Sequence, residues 1–234
     1  MLSYPNHHGL RDLLENWRAR PRPAVAALVT ATSGSSYRKP GALALIDDAG
    51  LAVGCISGGC LEVDLVTAAQ QSLVSGKCAL VRYDTRSDDD RMFGSQSGCR
   101  GEVEVLLWPD RSGTRHALLD ALCAADLAHR PVWIEPATTP QPPSLATAER
   151  AGWLRLAPPP RLLLLGAGPE APALIALVRT LGWHCEVVEH RQRYLAGARL
   201  GQADRLIAAR PSSAINDLAL DDYDAAVCAT HLYE

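Results

Sequence analysis

Cys60 is the strongest candidate for chemistry in this 234-residue chain. It follows Ser57, Gly58 and Gly59 and stands just before a predicted helix. Glycines at a helix N-terminus expose backbone amides that bind anions, and the same position lowers a cysteine pKa towards the thiolate. The spacing therefore predicts a reactive thiol beside an anion site. The alternative is a buried cysteine that only begins the helix.

Cys99 is the second candidate thiol. Gly98 precedes it, and Arg100 supplies a neighbouring positive charge that favours the thiolate. Two soft thiolates beside loops that hold oxyanions suit a phosphate-bearing cofactor with a soft metal. They suit sulfur transfer or redox exchange equally well. The residues by themselves leave these chemistries open.

A glycine-bounded loop over Gly34–Gly41 has the composition of an oxyanion site. Hydroxyl groups donate hydrogen bonds to such an anion, and a guanidinium binds it in bidentate geometry. The alternative is a polar connection between two strands. The candidate ligands in this loop are Ser35, Ser36, Arg38 and Lys39.

The C-terminal part of the chain carries a dinucleotide-type glycine turn. Gly166 and Gly168 begin a GxGxxA sequence that follows four leucines and precedes a predicted helix. Glu189 ends the next strand, where a carboxylate can hold a ribose hydroxyl, and His231 follows a later strand. This pattern predicts a nucleotide site. The alternative is that the glycines only form the turn, because Glu170 would repel a bound diphosphate.

The elements that must position these residues follow from hydrophobic periodicity. Residues 1–135 are predicted to form one α+β domain. It contains helices near 10–17, 61–76 and 114–128, and strands at 24–32, 42–47, 51–55, 79–83, 102–108 and 131–135.

Residues 136–160 contain seven prolines and are predicted to be a stiff linker, with one short strand at 153–156. Residues 161–234 alternate strand and helix, which predicts a Rossmann-like, doubly wound parallel sheet. Only four strands are expected there, so we expect this domain to be incomplete. The overall fold class is therefore α/β.

Composition excludes several classes of protein. Charged residues make up 21% of the chain and the net charge is -3, so a nucleic-acid partner is not expected. The N-terminus lacks the apolar core of a signal peptide, and no apolar run is long enough to span a membrane, so we expect a cytoplasmic protein. Seven cysteines without a CxxC motif argue against a disulfide framework and a zinc ribbon.

Three N-terminal motifs carry a family resemblance. GSSYRKPGA, SGGCLE and SGCRGEVEVLL, in this order, resemble the hallmarks of the XdhC/CoxI family, and LLLLGAGPEAPAL, VVEHR and ATHLYE resemble its C-terminal Rossmann domain. Two positions depart from the pattern. Arg100 stands where members often have glycine, and Pro169 stands where they have histidine.

The resemblance implies a non-catalytic accessory protein of xanthine dehydrogenase-type molybdenum hydroxylases. Such a protein binds molybdenum cofactor, as molybdopterin or its dinucleotide form, assists its sulfuration and delivers it to the apo-enzyme. Cys60 and Cys99 correspond to the motif cysteines, either of which could contact the molybdenum. Implied partners are the apo molybdenum hydroxylase, a cysteine desulfurase or cofactor-biosynthesis proteins, and a second copy of the chain in a homodimer.

Two other functions remain open at this point. The glycine turn and Glu189 would serve an NAD(P)-dependent oxidoreductase, although no His/Asp or Tyr/Lys pair stands at a recognisable catalytic spacing. Cys60 would serve a thiol sulfurtransferase or redox protein.

Overall fold

The computed structural model describes residues 9–84, 86, 100–113, 115–195 and 198–230. The chain forms two compact units, Met1–Pro158 and Pro159–Glu234.

An antiparallel five-stranded sheet is the centre of the first unit, with strand order β3-β2-β1-β5-β4. In the described part of this unit, three helices accompany the sheet, as the apolar periodicity predicts. The strands are β1 (Ala24–Gly34), β2 (Leu43–Asp47), β3 (Ala52–Gly54), β4 (Ala79–Asp84) and β5 (Gly101–Asp110), and the helices are α1 (Leu10–Ala19), α2 (Glu62–Ser75) and α3 (Ala117–Leu127).

The first six residues of the central strand β1, residues 24–29, are buried on both faces of the sheet, which explains their unbroken apolar sequence. Successive strand residues point to opposite faces of a sheet. Ala26 and Leu28 pack in a core with α1 and α3, whereas Ala27 and Val29 pack in a second core with α2. The sheet therefore holds the start of α2, and Cys60 next to it, against one of its faces.

The proline-rich segment differs from the expected linker. Its strands β7 (Leu145–Ala146) and β8 (Leu154–Leu156) both pair antiparallel with β6 (Val132–Ile134). Prolines are compatible with such short strands because they lie between the strands and not within the ladder. The segment thus folds with the first unit, and the division between units falls after Pro158.

A parallel four-stranded sheet forms the second unit, with order β11-β10-β9-β12. Apolar cores lie on both of its faces, so the sheet is doubly wound. The predicted α/β fold class is confirmed. The strands are β9 (Arg161–Leu165), β10 (His184–Val188), β11 (Arg205–Ile207) and β12 (Ala225–Cys228), and the helices are α4 (Ala171–Thr180), α5 (Gln192–Leu195) and α6 (Pro211–Asp217).

Candidate functional site

Glu62 organises the loop that carries Cys60. Its buried carboxylate accepts hydrogen bonds from the backbone amides of Ser57 and Gly59, both at 2.9 Å, and from that of Leu61 at 3.1 Å. The Ser57 hydroxyl also donates to this carboxylate, while its Oγ accepts the Leu61 amide at 2.8 Å. The carboxylate is therefore the centre of a closed hydrogen-bond network.

The amides expected to bind an external anion are consequently occupied by the chain itself. Burial would raise the pKa of Glu62, but the hydrogen bonds from Ser57 and from the amides of Ser57, Glu62 and Gly59 outweigh it and lower that pKa. Glu62 stays ionised at neutral pH and fills the helix N-terminus. Sequence reasoning missed this residue, although a glutamate in the first turn of a helix is the available signal.

The two cysteines of this loop differ in exposure. Cys60 is exposed, in agreement with an accessible thiol, whereas Cys55 is half-buried. The Cys55 Sγ accepts the Gly58 amide at 3.2 Å and lies 3.9 Å from the Glu62 carboxylate. Burial raises the pKa of Cys55, so its protonated thiol is the stable form and it donates weakly to Glu62.

The Gly34–Gly41 loop contacts the Cys60 loop. Gly58 has φ +80°, and a Cβ at this position would lie 3.0–3.2 Å from ring atoms of Tyr37. Arg38 is close enough to lower the pKa of Cys55, although burial outweighs it. In the same loop, Lys39 Nζ donates to the Ser36 hydroxyl at 3.3 Å.

Arg100, which belongs to the Cys99 motif, lies beside the Gly34–Gly41 loop. Its carbonyl accepts the Ser35 amide at 3.1 Å, and Gly34 and Gly101 are paired across β1 and β5. A Cβ on Gly34 would lie 2.7 Å from the Arg100 carbonyl oxygen, so this close approach requires glycine. Gly98 and Cys99 lie outside the described residues.

Tyr83 adds a buried polar group near Glu62. Its hydroxyl has no hydrogen-bond partner within the described part of the chain. Burial raises the pKa of Tyr83 to about 12, and the charges of Asp64 and Glu62 act in the same direction. The phenol is therefore neutral and carries one O–H donor within electrostatic range of the Glu62 charge.

The carboxylate of Glu189, the predicted ribose ligand, is hydrogen-bonded to other residues of the second unit. Its buried carboxylate accepts the Ala167 amide at 2.9 Å and the Arg191 guanidinium at 2.9 and 2.6 Å. The Arg191 hydrogen bonds are the main cause that lowers the pKa of Glu189 to about 2. Glu189 thus ties the glycine turn to the end of β10, and its oxygens are already engaged.

The glycine turn itself has the expected backbone but little free space. Gly166 has φ +105° and lies against Ala229, where a Cβ would meet the carbonyl oxygen at 2.6 Å. The Glu170 carboxylate folds back over Gly168, at the position where a diphosphate would approach. A cleft of about 110 Å³ lies between Gly166, Glu189 and Arg191. His231 lies outside the described residues.

Two classes of feature are absent from the part of the chain that the structure describes. No group of three His, Cys, Asp or Glu side chains is arranged to hold a metal ion. None of the helices in that part combines the length and apolar character that a membrane span requires.

Comparison with known proteins places the site in a family context. Residues 17–84 match the model of the XdhC and CoxI family, and they include the loops of Ser35 and Cys60. In this region the chain is similar to the XdhC and CoxI family. The match contains the end of α1, the first four strands and α2, and these strands and α2 bring the two loops together.

Two known proteins are similar to most of the chain. A Bacillus subtilis (strain 168) protein, described by its name as a probable component of xanthine dehydrogenase, is 29% identical over 98% of this chain and 77% of its own length. A crystal structure described as a xanthine dehydrogenase from Bacillus halodurans has a TM-score of 0.78 and 27% identity, over 95% of this chain and 74% of that one. The similarity to these two proteins therefore extends over both units of the chain.

Proposed function

We propose that this protein is an accessory factor for a xanthine dehydrogenase-type molybdenum hydroxylase. Molybdenum cofactor is its cargo, and the protein assists the sulfuration of this cargo and its insertion into the apo-enzyme. The observation that carries the proposal is the contact between the Tyr37 loop and the Cys60 loop, with Arg100 beside them. The match of residues 17–84 to the XdhC and CoxI family and the names of both similar proteins support the same client enzyme.

The side chains at this contact fit the chemistry of the cargo. Molybdopterin carries a phosphate, and an arginine binds phosphate in bidentate geometry. Arg38 is exposed and has no ion-pair partner among the described residues, so its guanidinium is available to a phosphate. Cys60 offers an exposed thiol for contact with the sulfur or molybdenum of the cargo.

One part of the expected site does not fit a phosphate. The amides of Gly59 and Leu61 already bind the Glu62 carboxylate, so a second anion would have to displace it. The proposal therefore assigns the phosphate to the Arg38 loop and assigns the Cys60 loop to the sulfur chemistry.

Pterin content tests the proposal directly. The protein is purified anaerobically from cells that make the cofactor, and the bound pterin is oxidised and measured by fluorescence. We expect pterin in the wild type, and much less in the Cys60→Ser and Arg38→Gln variants. Cys228→Ser is the matched control, because Cys228 is an exposed cysteine of the second unit. Wild-type protein without pterin above background would refute cofactor binding.

A nucleotide-dependent oxidoreductase is the second candidate, because the strand order and Gly166 match a dinucleotide-binding turn. The engaged Glu189 and the position of Glu170 weigh against it. Reduced nicotinamide that quenches tryptophan fluorescence at micromolar concentration would favour this function. Absence of saturable quenching would exclude it.

The proposed partners follow from the same function. A cysteine desulfurase would supply the sulfur, the apo molybdenum hydroxylase would accept the cofactor, and the protein would act as a homodimer. Size-exclusion chromatography with light scattering tests the dimer, and co-purification with each tagged partner tests the other two. A monomer at all concentrations would contradict the dimer.

A further inference from the structure

Arg38 lines a cleft together with Arg155, a residue that lies in the segment expected to be a linker. The cleft has a volume of about 230 Å³ and lies within the first unit. Its walls are Leu10, Arg38, Pro40, Gly41, Leu43, Arg155, Leu156 and Ala157.

Gly41 allows the two arginines to share this cleft. It has φ +97°, and a Cβ at this position would lie 3.0 Å from the Leu156 side chain of β8. The loop therefore approaches β8 closely, and β8 is held in place by its pairing with β6, where Arg155 is opposite Trp133. Tertiary pairing thus brings a residue more than a hundred positions away next to the Arg38 loop.

The charge of the cleft is unbalanced. Both arginines are exposed, and none of the described carboxylates forms an ion pair with either of them. The residues that line the cleft include no Asp or Glu. Two guanidiniums without a counter-ion attract an anion, and phosphate oxygens match their geometry.

The remaining walls are apolar. Leu10, Leu43 and Leu156 line the cleft beside the two arginines, together with Pro40. Apolar walls favour an organic group over a hydrated inorganic ion, because burial of its surface is favourable. The volume is large enough for a phosphate with one small ring beside it.

We propose that Arg38 and Arg155 together bind the phosphate of an organic phosphomonoester, with its organic part against the leucine wall. The inference rests on the proposed function only in taking the cargo as the natural source of that phosphate. It adds Arg155 to the site. The sequence predicted anion binding both at the Arg38 loop and at the N-terminus of α2, and the inference keeps only the first.

Calorimetric titration with phenyl phosphate tests the cleft without any molybdenum cofactor. Inorganic phosphate and phenol are titrated separately as controls, because each represents one part of phenyl phosphate. We expect phenyl phosphate to bind more tightly than either half, and we expect Arg155→Gln to weaken its binding about tenfold, the loss of one charge-assisted pair.

Arg150→Gln is the matched control. Arg150 belongs to the same segment and loses the same charge, but its guanidinium lies over the Trp153 ring, 4.8 Å from the centroid. Thermal unfolding of each variant confirms that it is folded. Equally weakened phenyl phosphate binding in both variants would show that only the net charge matters and would overturn the proposal. The absence of saturable phenyl phosphate binding to the wild type would also overturn it.

The outcomes separate this inference from the proposed function. If phenyl phosphate binding depends on Arg155 but the protein purifies without pterin, the phosphate site in the cleft is supported and molybdenum cofactor as the cargo is refuted. If Arg155→Gln leaves the pterin content unchanged and phenyl phosphate does not bind, molybdenum cofactor as the cargo is supported and the phosphate site in the cleft is refuted.

Discussion

The Glu62 carboxylate accepts the Gly59 amide at 2.9 Å, so the first residue of α2 occupies the anion site at its own helix N-terminus. The glycines before Cys60 therefore serve an internal ligand. This relationship explains how a loop with two glycines at positive φ, Gly58 and Gly59, keeps one conformation beside an exposed thiol.

Removal of this internal ligand should create an external anion site. In Glu62→Ala the amides of Ser57 and Gly59 lose their acceptor, whereas the Leu61 amide keeps the Ser57 hydroxyl, and this should lower the free energy of unfolding by about 1–3 kcal/mol. Sulfate should then raise the melting temperature of this variant more than that of the wild type. Asp64→Ala is the control, because Asp64 is an exposed acid in the same helical turn. Equal sulfate responses in all three proteins would contradict the prediction.

Contact between the two loops should be visible in a double-mutant cycle. Gly58→Ala places a Cβ against the Tyr37 ring, and the positive φ adds backbone strain. We expect a loss of about 1–3 kcal/mol, measured by denaturant unfolding, part of which Tyr37→Ala restores. Gly59→Ala is strained at φ +114° but meets no atom within 4 Å, so Tyr37→Ala should not restore it. The same restoration at both glycines would show that the loops do not touch.

Glu189 should make the second unit sensitive to acid. Its folded pKa of about 2 lies below the usual carboxyl value, so its stabilisation is complete above pH ~4.5 and is lost as the pH falls towards 2. The difference corresponds to about 3 kcal/mol. Glu189→Gln should be less stable at pH 7 and should lose less stability on acidification, as followed by circular dichroism. Parallel acid curves for the two proteins would refute this assignment.

His116 should make the first unit sensitive at a higher pH. Its ring is buried, its Nε2–H donates to the Trp108 carbonyl at 2.8 Å, and burial lowers its pKa. The unfolded state therefore binds a proton first, and stability should fall as the pH drops below ~6.5. Tryptophan fluorescence can follow this unfolding, because Trp17 and Trp108 contact the ring. In His116→Phe the pH dependence between 7 and 5 should be smaller, and an unchanged slope would contradict the prediction.

Much of the fold could be predicted because its elements leave local signals. The spacing of Leu13, Leu14 and Trp17 predicts α1, and Gly76, with φ +68°, ends α2 where a helix C-terminus was expected. The glycine turn at Gly166 likewise predicts the start of a parallel sheet. Periodicity and turn chemistry act over a few residues, so one sequence carries them in full.

The pairing of the proline-rich segment has no such local signal. Strands of two and three residues are too short to show an alternation, and the ladder that holds β7 and β8 depends on β6 being between them. Composition alone therefore indicated a linker. The position of Arg155 in the cleft is a consequence of that pairing.

By itself the sequence determined the α/β class and the resemblance to the XdhC and CoxI family, because each depends on residue type and local order. The exposure of the Cys60 thiol was decided by the tertiary structure. Only the tertiary structure decided which groups are already engaged. Glu62 fills the amides beside Cys60, and Arg191 holds Glu189, whereas Arg38 keeps a guanidinium available next to Arg155. A hydrogen-bond donor binds whichever acceptor the fold brings closest, and that distance is absent from the linear order of residues.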